Sequence, residues 1–168
     1  MEKLFNAIRY TAYTVEIIFA FVIEVMPDFM PKIFGAQPLL LLSAALTIAF
    51  FEGEKAGLIV GVAAGLLIDM GKGGTIGFYA ILLAISCYGV GLATASSLRR
   101  NFFSAMMLIL PVIPILYTLD WLFFHVFSDN GFIWYIFVRH ILPQMGYTVL
   151  LLPVFYGINK AFSQFLRR

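Results

Sequence analysis

Between residues 57 and 69 the chain places Gly57, Gly61, Gly65 and Asp69 at every fourth position. On a helix of about 3.6 residues per turn this spacing forms one slightly spiralling stripe. Three turns without side chains allow a second helix to approach to near backbone contact, the small-residue logic of helix pairs inside a bilayer. In a soluble helix each glycine would cost about 1 kcal/mol relative to alanine, so three on one face imply that packing recovers the loss. The stripe ends in a carboxylate, and the glycine-rich run Gly71-Lys72-Gly73-Gly74 then marks a tight reversal before Gly77 and Tyr79. Two readings of this stretch stand side by side. It is a tightly packed helix hairpin, or Asp69 also serves a partner or a ligand.

Composition supports the bilayer setting. With 62% hydrophobic and 12% charged residues and a mean hydropathy of +0.96, a soluble domain is excluded and a polytopic membrane protein is implied. A bilayer core of about 30 Å needs roughly 20 helical residues, so 168 residues provide about six spans and little else. The chain therefore reads as a single all-α transmembrane domain over residues 1–168. Cys87 is the only cysteine, which rules out an intrachain disulfide. Glu16 and Glu24 interrupt the first apolar segment and no small-x-small site follows it, so the segment reads as a retained helix and not a cleaved signal.

The expected spans are 4–26, 37–51, 55–70, 75–98, 102–127 and 132–162. Span 1 is unusual in its polar load. Arg9, Tyr13 and Glu16 share a face that should point into the bundle, while Glu24 near the far end is expected to snorkel to the headgroups. Span 2 is expected to begin at Gln37-Pro38, with proline in the first turn. Spans 2 and 3, joined by Glu52-Gly53-Glu54-Lys55, are short enough to either cross a thinned bilayer or form a re-entrant hairpin. Span 4 carries Gly77, Gly89 and Gly91 and is the natural partner of the stripe. Pro111 and Pro114 should kink span 5, and Pro143 and Pro153 should break span 6.

Alternating sides puts Lys3, Arg9, Lys55, Arg99, Arg100, Lys160, Arg167 and Arg168 on one face of the membrane, with Lys32 and Lys72 on the other. By the positive-inside rule both termini are expected to be cytoplasmic, with Trp121, Trp134 and Tyr135 in the outer half. Asp120 and Arg139 lie equally far from a turn at Ser128–Gly131, which suggests an ion pair at matching depth. The alternative to this pair is that Arg139 faces the phosphate of a lipid-linked precursor or a partner's acidic residue. His140 and His125 have no cysteine or second histidine at ligand spacing, so no metal and no cofactor is expected. HExxH, GxSxG and P-loop motifs are absent, which removes the common hydrolase and nucleotide-binding classes and leaves no expected enzyme activity. Arg167 and Arg168 are too short a run for a polybasic lipid patch, and nothing suggests nucleic acid.

The run Pro38-Leu-Leu-Leu-Leu42, Glu52-Gly53, Gly61-x-x-x-Gly65-Leu66-Leu67-x-Asp69 and Gly77-x-Tyr79-Ala80 resembles the rod-shape-determining MreD family. The tail Ile141-Leu-Pro143, Leu152-Pro153 and Tyr156 is similar to that family's last span. The resemblance covers most of residues 36–162, whereas span 1 and the stretch from Arg99 to Phe132 match only in hydropathy. It implies a non-catalytic scaffold of the bacterial elongation machinery in the cytoplasmic (inner) membrane. The implied partners are MreC, the SEDS glycosyltransferase with its class B penicillin-binding protein, and, indirectly, MreB. It also implies a fold similar to the substrate-binding subunits of energy-coupling-factor transporters. The alternative function is therefore a vitamin- or metal-binding transport subunit.

Overall fold

The computed structural model describes residues 2–26, 37–72, 77–96, 101–126 and 137–165. These are helical almost throughout: α1 (Glu2–Val25), α2 (Leu40–Glu52), α3 (Glu54–Lys72), α4 (Phe78–Ser96), α5 (Phe102–Trp121) and α6 (Leu142–Phe165). Two wide, π-helical turns, Leu122–Val126 and Phe137–Ile141, extend α5 and lead into α6. Phe78–Ala95, Phe102–Phe124 and Phe137–Gln164 are long and apolar enough to cross a membrane. Lys32, Arg99, Arg100, the Ser128–Gly131 turn, Trp134, Tyr135, Arg167 and Arg168 lie outside the described residues, as do the side chains of Lys3 and His125.

The bundle is built around α2. Its sequence is apolar on every side, which suits either a lipid-facing span or the protein interior, and here it takes the interior. Every residue from Leu40 to Phe51 is buried, enclosed by α1, α3, α4, α5 and α6. Ser43 and Thr47 are admitted to this interior because their hydroxyls donate to carbonyls: Thr47 to Ser43 O at 2.8 Å, and Ser43 to Thr148 O of α6 at 3.3 Å.

Both ends of α2 are tied to α1. At the C-terminal end Arg9 reaches Glu52 at 3.1 Å, and the Tyr13 hydroxyl donates to the same carboxylate at 2.9 Å. At the N-terminal end the backbone N–H of Leu41 donates to Glu24 at 3.0 Å. The two helices therefore run antiparallel. Two expectations are corrected here. Pro38 lies outside the helix, which starts at Leu40 after an extended Leu39 (φ −87°, ψ 90°) that offers no side-chain cap. Glu24 does not snorkel; the first N–H groups of a helix lack intrahelical partners, and Glu24 supplies an acceptor for one of them across the α1–α2 seam.

α2 turns into α3 through Gly53 alone, whose φ of 91° suits a residue without a side chain. α5 and α6 each run on as one helix through Pro111, Pro114 and Pro153. The irregularity near α6 falls instead at the wide turn Phe137–Ile141, just before Pro143. A proline ring clashes with the carbonyl four residues earlier, here that of Arg139, and widening the turn relieves the clash.

Candidate functional site

The glycine stripe faces α4. A Cβ built on Gly61 would stand 2.6 Å from the Leu83 carbonyl oxygen, and one on Gly57 would stand 2.9 Å from that of Cys87. On Gly65 it would collide with the backbone of Tyr79 and Ala80. Gly91 of α4 returns the pattern, since a Cβ there would lie 2.6 Å from the Glu54 backbone nitrogen. The two backbones thus touch along the hairpin in a constant antiparallel register. Gly89, by contrast, has open space around it.

That register delivers Asp69 to the start of α4. Its carboxylate, in a residue only 3% exposed, accepts the backbone N–H groups of Gly77 at 2.8 Å, Tyr79 at 3.0 Å and Ala80 at 3.3 Å. An anion at a helix N-terminus is favoured both by these unsatisfied donors and by the helix dipole. Asp69 is thus held as an internal cap, with neither oxygen left over for the surface.

Beyond it runs a short chain of polar side chains. Lys72 donates to the Tyr79 hydroxyl at 2.6 Å, and that hydroxyl donates to Asp120 of α5 at 2.6 Å. Asp120 is therefore engaged from α4. Arg139 and His140 are exposed in the turn before α6.

At the same end of the bundle, α1, α3 and the segment before α2 enclose a cavity of ≈ 230 Å³. Glu24, Gln37, Lys72 and Gln144 are its polar lining, against apolar walls that include Phe21 and Leu67. Glu24 and Lys72 face this cavity from α1 and α3, and Lys72 keeps its bond to the Tyr79 hydroxyl. Gln37 and Gln144 were not singled out by sequence reasoning, since isolated glutamines beside apolar runs carry no spacing signal.

The middle of the bundle holds a third polar group. Asn159 of α6 donates to Glu16 at 2.9 Å and to Thr47 at 3.0 Å, joining α1, α2 and α6. One Glu16 oxygen and the Asn159 carbonyl oxygen are buried without partners. Arg9, Tyr13 and Glu16 all turn inward, but they serve different partners: Glu52 for the first two and Asn159 for the third. Among the described residues no cluster of three or more His, Cys, Asp or Glu side chains is suited to a metal ion.

A glycine-seamed helical bundle whose acidic and basic side chains bond to one another's helices, wrapped in apolar faces, defines a polytopic membrane protein. The family model described as rod shape-determining protein MreD matches residues 7–166, nearly the whole chain, so the chain belongs to the MreD family and its role lies in rod-shape determination. No curated protein and no solved structure matches it.

Proposed function

We propose that the chain is a non-catalytic scaffold of the cell-elongation machinery in the bacterial inner membrane. In this reading it holds the transmembrane segment of MreC and links cytoplasmic MreB filaments to peptidoglycan synthesis outside, with both termini in the cytoplasm. The family match over residues 7–166 carries the proposal. The packing supports it: a pillar helix buried on all sides and a hairpin in backbone contact make a stiff body, while α4 and α5 present Ile81, Ile85, Phe103 and Met107 outward. Such faces suit lipid and the apolar helices of neighbours alike.

The second reading is a substrate-binding subunit of an energy-coupling-factor transporter, and the cavity beside Glu24 and Lys72 favours it. Affinity purification in mild detergent, followed by mass spectrometry of proteins and small molecules, separates the two. Co-purification of a coiled-coil partner with cell-wall synthases is expected. An ATPase pair with bound vitamin would replace the scaffold reading with the transporter.

A further inference from the structure

The cavity between α1 and α3 brings together two opposite charges that each retain unused bonding capacity. An ammonium has three donors, and Lys72 commits one to Tyr79, leaving two. A carboxylate has about four lone-pair sites, and the backbone N–H groups of Leu41 and Leu40 engage two of those on Glu24, leaving about two. Gln37 and Gln144 add carboxamides that both donate and accept. The space, ≈ 230 Å³, equals about eight waters at roughly 30 Å³ each, enough for a small polar group.

The surroundings indicate from where such a group would enter. Val25 and Gly71 line the cavity and are themselves exposed, so its mouth reaches the bundle surface between α1 and α3. Met70, next in sequence to Gly71, is 69% exposed, and Val22 and Val25 present apolar side chains on the α1 side. The mouth is thus flanked by surface suited to acyl chains, at the end of the helices where headgroups lie.

We infer that this cavity is a binding site for a zwitterion, an ammonium joined by a short link to a phosphate or carboxylate. Lys72 takes the anion, and Glu24, helped by the carboxamide oxygens of Gln37 and Gln144, takes the ammonium. Two sources carry this chemistry: the headgroup of phosphatidylethanolamine and a free amino acid. The inference is independent of which partners the scaffold binds.

The test uses the purified full chain in detergent, with retained ligand read by native mass spectrometry and stability by thermal melting. The lipid probes are phosphatidylethanolamine, its N-acetylated form, which lacks the ammonium, and phosphatidylglycerol. The soluble probes are phosphoethanolamine and alanine. Phosphatidylethanolamine is expected to bind about tenfold tighter than either other lipid, the effect of one charge-assisted contact. Glu24→Gln keeps an acceptor for Leu41 while removing the charge, and should abolish the preference for the ammonium. Lys72→Gln should weaken all three lipids, whereas Lys55→Gln at the other end of α3 should change nothing. Stabilisation by alanine or phosphoethanolamine, with the same dependence on Glu24 and Lys72, would support the site and assign it a soluble ligand. Equal binding of lipids with and without the ammonium to the unmodified protein, with no response to the soluble probes, would overturn it, even if a variant failed to fold.

Discussion

The carboxylate of Asp69, near the end of α3, receives the backbone N–H of Tyr79, in the first turn of α4, at 3.0 Å. With Gly77 and Ala80 bonded to the same side chain, the glycine seam and the helix cap become one device. The seam sets the register, and the register places the anion over the donors.

Asp69→Ala should leave three backbone donors without their acceptor and destabilise the protein by about 1–3 kcal/mol. Asp69→Asn retains one carbonyl oxygen and should cost less. Thermal melting of the detergent-solubilised variants measures both. An alanine variant as stable as the parent would show that water replaces the cap and that Asp69 is held for another purpose.

Gly61→Ala should be damaging and Gly89→Ala harmless, although both glycines lie in apolar helices. The added methyl at position 61 meets the Leu83 carbonyl at 2.6 Å, and that at position 89 meets nothing within 4 Å. Overpacking of this kind costs about 1–3 kcal/mol. Equal yields and equal melting temperatures for the two variants would mean that α3 and α4 separate easily, contrary to a backbone-contact seam.

Arg9 and Glu52 form a nearly buried pair, with side-chain exposures of 12% and 5%. Removing one partner of such a pair typically costs about 3–5 kcal/mol, because the other charge is left uncompensated. Arg9→Met and Glu52→Gln should each be harmful, and the double variant should be more stable than the sum of the single losses predicts. Strict additivity in this cycle would indicate that the two side chains do not act on each other.

Lys55 and Lys72 cap opposite ends of α3, about 26 Å apart at 1.5 Å per residue. Cysteine at position 72 should react with an impermeant thiol reagent applied outside cells whose outer barrier has been opened, and cysteine at position 55 should not. The native Cys87 is fully buried, so the unmodified chain provides an unlabelled background. Labelling at 55 with protection at 72 would invert the orientation inferred from the basic residues.

Much of the architecture was legible because it rests on spacing. Glycine at every fourth position shows that a face is bare, and the boundaries of α1, α3 and α5 follow from where apolar runs meet charge or glycine. The polar partners were less so. Glu52 stands in a Glu-Gly-Glu-Lys run that reads as a solvated turn, yet α1 passes close enough to bury it against Arg9 and Tyr13. Asn159 and Thr148 carry no spacing signal, and each has a partner on α2 or just before it more than a hundred residues away. Those bonds depend on how α6 packs on α2, which no local pattern encodes. The central position of α2 was not legible either, because an all-apolar helix such as α2 or α5 suits lipid and protein interior alike.

The α3–α4 seam also bears on how the molecule can move. Side chains in contact yield by changing rotamer, but a carbonyl lodged against a glycine has no such freedom. Sliding α4 along α3 by a fraction of a turn would drive each Cα of one helix into the peptide planes of the other. The next arrangement that fits lies four residues away, about 6 Å along the axis, and there Asp69 would miss the free N–H groups at the start of α4. The hairpin therefore behaves as a solid rod. Any relative movement of α5 against this rod would be felt where the Tyr79 hydroxyl bonds Asp120 and where Phe78 stacks on Phe123.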